Sequence, residues 1–570
     1  MISFKYCMDE PVPSEHHPWE RFRQWIHSIC VVNFDLELGQ TIEVIYPGDA
    51  QLSSIEKSNI CYLSFPDSNS SCTGDTGYFF RVKRSEESLT DAQWHLSEAV
   101  PVAMQPEPGF YFGFVHFRQM KDPTLPRGYF QKSLVLLTVL PLFGLFSHVI
   151  EAISYGFFDL GEASIETACQ HIDQWPLPRP GETLSLPLLG AVIQCRIPSR
   201  NDVPQKPISL DFPHITSSLS QTVVVSPVVH EVNFYESIKC VISHIHLLWE
   251  LVLLGDPVVV MATTPSQCTN LVQSLISMIW PLKYCNDYRP FFTIHDSDFS
   301  EITSKHASPN MIIGVTNPFF SKTLQHWPHI LRIGDVSTGQ TAIAEKLFKK
   351  NWDGKTLEWK PGFYSQYKSF LQPGNSLMKK LLKVGKRPDS VQNAILRRHF
   401  LELTQSFMIP LERYLSSLLP LKRHITPFKA VPQIKTFVLE DFLSTLEQTG
   451  PALTSSIKGD WEGLYKRFFK SMNFDGWLKQ RLKDMEDQLK ATHLEVLCTA
   501  DLNSDSLSTR HQVEIVDLVL KLKDRIMDLN GKPEKRSKLQ EQLKNLLTSV
   551  DDELKSVLLS NCSLREAFEI

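Results

Sequence analysis

Residues 334–341 come closest to a motif with chemistry of its own. They read Gly-Asp-Val-Ser-Thr-Gly-Gln-Thr, between a β-rich run and a helical pattern, which is the setting of a Walker A loop. Gln340 stands where that loop carries its lysine. A glutamine cannot supply the positive charge that the β- and γ-phosphates of a nucleotide need. We therefore expect an ordinary glycine-rich loop that binds no nucleotide.

No other stretch carries an enzyme motif. The chain has no GxSxG, no HExxH and no set of kinase motifs. Asp296 and Asp298 could contact a metal, but such a short pair is more typical of a turn or a cap. The 11 cysteines include no CxxC, which is typical of reduced cytosolic thiols and not of a zinc site. We expect no catalytic residue, no metal ligand and no cofactor.

A basic segment stands out in a chain whose net charge is -5. Residues 346–398 hold 13 lysines and arginines against 3 acidic residues. The densest part contains Lys379, Lys380, Lys383, Lys386 and Arg387. Such a run is usually a solvated helix face, but it also suits contact with an anionic membrane or an acidic partner. Both interpretations stay open.

The first 175 residues predict a short extension, 1–24, and an α/β lobe, 25–175. β-rich runs lie at residues 28–34, 41–45, 110–117 and 133–140. One helical face follows them, because apolar residues recur at helical spacing at Phe146, Val149, Ile150, Ile153 and Phe157.

A second α/β lobe is predicted over residues 223–343. Before it, residues 176–222 are rich in proline, which favours an extended connection. The lobe has a short apolar strand at 257–262 and a helix that opens with Thr264 and Pro265, with Gln267 at capping-box spacing. Further strands are predicted at 290–294, 311–315 and 329–333. Alternation of strands and helices indicates a partly parallel, buried sheet.

The rest of the chain is predicted to be helical. Residues 344–480 form a helical lobe, and residues 481–570 form a tail with helices at 513–529 and 539–558. A stripe at Leu539, Leu543, Leu546, Val550, Leu554 and Val557 marks the last helix. The fold class is α/β plus all-α.

Composition excludes several classes of protein. A net charge of -5 argues against a general nucleic-acid binder, which usually carries a basic excess. The N-terminus lacks the basic start and apolar block of a signal peptide. The longest uncharged apolar run, residues 134–146, is shorter than the roughly 20 residues of a membrane span. We expect a cytoplasmic protein.

Several segments resemble the tripartite DENN module. Residues 28–47 and 127–146 resemble the opening and closing parts of the upstream, longin-like DENN region. Residues 248–268 and 308–334 resemble the central DENN region, and look closest to the sixth subfamily of DENN-domain-containing proteins, formerly family with sequence similarity 116. The resemblance covers residues 25–480 and a helical tail.

This resemblance implies a guanine nucleotide exchange factor for a Rab GTPase. For the sixth subfamily it implies Rab fourteen, peripheral recruitment to recycling endosomes and a role in vesicle trafficking. Such proteins bind the switch regions of the GDP-bound or nucleotide-free Rab, draw switch I away from the nucleotide and so let GDP leave. They make no covalent change.

We expect the GTPase to dock between the two α/β lobes. On the first lobe the candidates are Arg118 and Arg127, which flank a polar turn between two strands. On the second lobe they are Asn317, Pro318, Phe319 and Phe320, at the carboxyl end of an apolar strand. We expect at least one of the two phenylalanines to be buried in the core.

Two alternatives remain at this point. The protein could be a scaffold or effector that binds a Rab without emptying it. It could also be a GTPase-activating protein, because residues 125–129 resemble the loop by which folliculin, a DENN relative, presents an arginine finger, here Arg127.

Overall fold

The computed structural model describes residues 19–67, 74–125, 128–200, 222–226, 229–304, 309–333, 361–372, 377, 381, 388–453, 455, 457–500, 511–528, 533–548, 550, 552–560 and 564. They divide into two compact units. Unit 1 is Met1–Gln405 with Ser455–Asn473, and unit 2 is Ser406–Thr454 with Phe474–Ile570.

Unit 1 begins with a first lobe built on an antiparallel sheet of order β2-β1-β5-β4-β3. Its strands are β1 Ser28–Asp35, β2 Gly39–Tyr46, β3 Gly74–Lys83, β4 Phe110–Lys121 and β5 Tyr129–Thr138. Its helices are α1 Glu20–Trp25, α2 Ser54–Leu63, α3 Asp91–Ala99, α4 Phe143–Leu160 and α5 Glu162–Asp173, with a 3-10 turn at Val102–Met104. The predicted helical face is confirmed, since all five of its residues are buried in α4.

The proline-rich stretch differs from its prediction. Instead of an extended connection, it contains a hairpin, β6 Thr183–Leu188 and β7 Ala191–Arg196, to which β8 Thr222–Ser226 adds in parallel. Buried and exposed residues alternate along β6, which is strand periodicity. Pro187 sits in this edge strand, where proline is tolerated. Residues 201–221 of the stretch lie outside the described residues.

The second lobe carries the predicted, mostly parallel sheet, of order β10-β11-β9-β12-β13. Among the described strands of this sheet, β12 and β13 pair antiparallel and the other neighbours pair parallel. The strands are β9 Val258–Met261, β10 Asp287–Arg289, β11 Met311–Val315, β12 His329–Arg332 and β13 Gly362–Ser365. The helices are α6 Phe234–Ile238, α7 Ile245–Leu254, α8 Pro265–Ser277, α9 Phe299–Ile302 and α10 Phe320–Thr323, with a 3-10 stretch at Lys239–His244.

Two local predictions in this lobe have different outcomes. The start of α8 is confirmed, because the Thr264 hydroxyl accepts a hydrogen bond from the Gln267 amide at 3.3 Å with Pro265 in the first turn. The strand predicted at 290–294 is wrong, because β10 ends at Arg289. Proline at 290 has no N–H to continue the ladder.

One helical stretch among the described residues, Phe234–Leu254, is long and apolar enough to cross a membrane by length and composition. The core helix of a soluble protein passes the same test, and 61% of the apolar window is buried inside the fold. Its second half, α7, has nine buried residues of ten, so we interpret it as a core helix of the second lobe.

The remaining helices are α11 Asp389–Leu418, α12 Leu439–Thr449, α13 Trp461–Phe468, α14 Met472–Thr499, α15 Gln512–Asp528, α16 Pro533–Thr548 and α17 Asp552–Leu559, with 3-10 turns at Lys422–His424 and Pro451–Leu453. In unit 2, α15 and α16 bury a leucine-rich cluster that includes Leu518, Leu522, Leu539, Leu543 and Leu546. The predicted final helix is divided into α16 and α17, and this division leaves Val557 exposed.

Two buried histidines and the half-buried His27 make unit 1 sensitive to acid. Burial lowers the pKa of His27, His246 and His329 from 6.5 to about 4. A lowered histidine pKa stabilises the folded state fully above pH 6.5, and this contribution is lost as the pH falls towards 4. A pKa shift of this size corresponds to about 3 kcal/mol of unfolding free energy for each histidine. We expect the free energy of unfolding to fall steeply over this window.

Urea unfolding at a series of pH values tests this expectation. His246→Gln is expected to reduce the acid slope, because it removes one group that must take up a proton on unfolding. The exposed His424→Gln serves as the control and is expected to leave the slope unchanged. An unchanged acid slope in His246→Gln would contradict a lowered pKa of His246 in the folded state.

Candidate functional site

A cavity of about 290 Å³ in unit 1 includes two of the predicted residues, Asn317 and Pro318, in its lining. It lies where the parallel strands β9, β11 and β12 end, since Met261, Val315 and Arg332 all line it. The carboxyl ends of parallel strands are the usual place for ligand and partner sites in α/β folds. The other lining residues are Asp67, Ala262, Thr263, Pro265, Thr316, Asn317, Pro318, Ser321 and Ile333.

Asn317 links the two lobes at the rim of this cavity. Its side-chain oxygen accepts a hydrogen bond from the Phe319 amide at 2.9 Å, which closes a tight turn after β11. Its side-chain amide donates to the Asp67 carboxylate of the first lobe at 3.2 Å. Both ends of the Asn317 amide are therefore used, and the turn is fixed against the first lobe.

The two phenylalanines after this turn have opposite environments. Phe320 is fully buried and packs in a cluster with Phe292, Leu324 and Trp327. Phe319 is 52% exposed, with its ring stacked at 6.4 Å on Phe299. The expectation that one of them is buried is confirmed, and Phe320 is not available to a partner.

Arg118 is paired within the first lobe. Its guanidinium donates two hydrogen bonds to Asp75, both at 2.6 Å, and lies 4.1 Å above the ring of Phe158. These hydrogen bonds lower the pKa of Asp75 and raise the pKa of Arg118. Only 15% of the Arg118 side chain is exposed, and its contacts join β4 to β3 and α4. Its role in Rab binding stays a prediction.

The other predicted site residues lie outside the described residues. These are Arg127, the whole basic cluster of Lys379, Lys380, Lys383, Lys386 and Arg387, and the glycine-rich loop at 334–341. Their proposed roles stay predictions. We define the candidate docking surface as Asp67, Asn317, Pro318 and Phe319 together with the cavity.

Sequence reasoning missed the contact between the two lobes. Arg81 on β3 pairs with Glu107 of the first lobe and with Asp287 of the second, and its guanidinium lies 3.3 Å from the ring centre of Phe110. Burial alone would lower the pKa of Arg81, but these carboxylates and Tyr288 raise it overall. The sequence does contain a sign of this contact, because the charged Arg81 interrupts an apolar run in β3.

Further contacts hold the lobes together beside Arg81. The ring of Tyr62 stacks on His295 at 4.5 Å, and Lys83 pairs with Asp298 at 2.8 Å. Asp298 donates its backbone amide to Asp296, so this aspartate pair closes a turn, as expected. The two sides of the candidate docking surface are therefore held in one arrangement.

Known proteins match the chain over nearly its full length. Family models match as follows: Transport protein Avl9 over residues 26–170, Stabilization of polarity axis over 232–338 and DENND6 C-terminal domain over 502–561. Protein DENND6A of Gallus gallus is 49% identical over 555 residues, which cover 95% of this chain and 94% of that protein. Protein DENND6B of Homo sapiens is 47% identical over 554 residues, with coverage of 95% and 94%.

A more distant relative is Protein DENND6 homolog of Dictyostelium discoideum. It is 34% identical over 547 residues, which cover 85% of this chain and 74% of that protein. An α/β lobe, a second α/β lobe with a mixed sheet and a helical region, in this order, are the tripartite DENN architecture. Within that class, the chain belongs to the DENND6 family. Membership supports, in general, a DENN-type role in nucleotide exchange on Rab GTPases.

Proposed function

We propose that this protein is a guanine nucleotide exchange factor for Rab fourteen and acts at recycling endosomes, to which it is recruited from the cytosol. Family membership supports the general role. The observation that carries the docking site is the Asn317 turn, which holds an exposed Phe319 at the carboxyl edge of the second lobe and is tied to Asp67 of the first. A switch region needs such a two-sided, pre-formed surface.

Exchange follows from a difference in affinity. A partner surface that binds the nucleotide-free GTPase more tightly than the GDP-bound form weakens nucleotide binding by the same factor. Equal affinity for both forms would change nothing. A few aromatic residues often carry most of the binding energy in an interface. Phe319 is an exposed aromatic residue that directly follows Asn317 and Pro318, which line the cavity.

Release of fluorescent GDP from a panel of purified Rabs tests the proposal. We expect the full chain to accelerate release from Rab fourteen by about tenfold or more, which is a barrier reduction of at least about 1.4 kcal/mol. Rabs of other subfamilies serve as controls. Binding without acceleration would indicate a scaffold, and faster phosphate release from the GTP-bound form would indicate a GTPase-activating protein. Either result would contradict exchange.

A further inference from the structure

The cavity of the second lobe has a wall rich in hydrogen-bond donors. Arg332 contributes a guanidinium at the end of β12, and hydroxyls come from Thr316 and Ser321. The Thr316 hydroxyl oxygen is buried and makes no hydrogen bond within the part of the chain that the structure describes. Buried polar atoms are nearly always paired, so an unsatisfied hydroxyl in a cavity wall marks a position for a polar ligand atom.

The charges of this wall favour an anion. Burial lowers the pKa of Arg332 more than the nearby Tyr364 raises it. A negative group in the cavity would oppose that effect of burial. The 13-residue helix α8 also begins at the cavity, where Pro265 lines it. The positive end of its dipole adds to the field of the guanidinium.

The cavity lining also includes an acidic residue. Asp67 presents a carboxylate there, one oxygen of which accepts from Asn317. A carboxylate repels an anion but accepts hydrogen bonds from hydroxyl groups. The cavity, about 290 Å³, is near the lower limit for small-molecule sites and much larger than one inorganic anion needs. The chemistry of the lining therefore fits a ligand that carries both a negative group and hydroxyls.

We propose that this cavity binds a phosphomonoester of a small polyhydroxy compound, such as an inositol or sugar phosphate. Arg332, Thr316 and Ser321 hold the phosphate, and Asp67 accepts from the hydroxyls. A soluble metabolite and a lipid headgroup share this chemistry. The binding does not depend on the exchange activity proposed above.

Occupancy of the cavity has a consequence for the candidate docking surface. Asn317 and Pro318 belong to both, so a ligand in the cavity contacts the same turn that presents Phe319. If the GTPase docks there, the two binding events are coupled, and each changes the affinity of the other by the same factor. The phosphate compound would then regulate exchange.

Calorimetric titration of the full chain with inositol monophosphate tests the binding directly, without any GTPase. We expect saturable binding that is weakened about thirtyfold in Arg332→Met, which keeps the apolar stem but removes the charge. Thr316→Val keeps the shape and removes only the unsatisfied hydroxyl, so it is expected to fold and to bind about fivefold more weakly. Arg423→Met, at an exposed arginine of unit 2, is the matched control and is expected to bind as the wild type does.

Three further titrations separate the sources of the ligand. Inositol without phosphate is expected not to bind, and equal binding would overturn the role of the anion. Vesicles of phosphatidylcholine with phosphatidylinositol monophosphate, but not plain vesicles, should bind if the source is a lipid, and this also supports the phosphate site. Absence of binding to every phosphate probe would overturn the proposal. If Arg332→Met nevertheless slowed GDP release, the cavity would instead hold an acidic side chain of the GTPase.

Discussion

Replacing Phe319 with alanine is expected to slow GDP release from the Rab by about thirtyfold, without a change in the thermal midpoint of unfolding. Truncation of a central aromatic anchor typically costs an interface about 2 kcal/mol or more, and about 2 kcal/mol corresponds to this factor. The same change costs the fold little, because Phe319 is 52% exposed and its ring contacts are with Phe299 and Phe320. The rate is measured with fluorescent GDP at a concentration of exchanger well below saturation.

Two controls separate docking from folding. Leu421→Ala truncates an exposed apolar residue outside the candidate docking surface and is expected to exchange at the wild-type rate. Phe320→Ala is expected to cost about 3–5 kcal/mol of unfolding free energy, because Phe320 is fully buried in the core of the second lobe. A folded Phe319→Ala variant with wild-type exchange would remove this turn from the interface.

The contrast between these neighbours shows what the sequence can predict. Helical spacing identified the buried face of α4 correctly, because a periodic pattern reports which side of an element is apolar. The pair Phe319 and Phe320 has no such pattern, since both follow a turn and begin a helix of only one turn. The general tendency of phenylalanine to be buried predicted only that at least one of these two rings lies in the core. Which one depends on where Trp327 and Phe292 lie, and that is tertiary information.

Other differences have the same origin. Arg118 looked like an exposed cation because it lies near a polar turn, but Asp75 on the neighbouring strand pairs with it across 43 residues of sequence. Asp67 was not predicted at all, because its partner Asn317 lies 250 residues away. The hairpin β6–β7 was hidden by its prolines, although its alternation of buried leucines is regular. Local patterns therefore predicted elements, whereas long-range pairing decided the site.

Arg81→Met is expected to lower the free energy of unfolding of unit 1 by about 3–5 kcal/mol. The guanidinium is almost fully buried and pairs with Glu107 and Asp287. Its removal takes away the cation that these two partly buried carboxylates share, although Asp287 keeps its pairing with Arg289. Methionine fills most of the space left by the arginine stem beside Phe110, which separates the loss of charge from the loss of packing.

Lys83→Met is the matched control for this change, because Lys83 is on the same strand and also pairs with an aspartate of the second lobe, Asp298. Its side chain is 59% exposed, so the pair is screened by water and its loss should cost less than about 1 kcal/mol. Urea unfolding followed by tryptophan fluorescence measures both variants. Since Arg81 joins the lobes that carry the two sides of the candidate docking surface, Arg81→Met is also expected to lose exchange activity at temperatures at which it remains folded. Equal unfolding midpoints for Arg81→Met and the wild type would show that the surrounding aromatic and backbone contacts hold the lobes together without this cation.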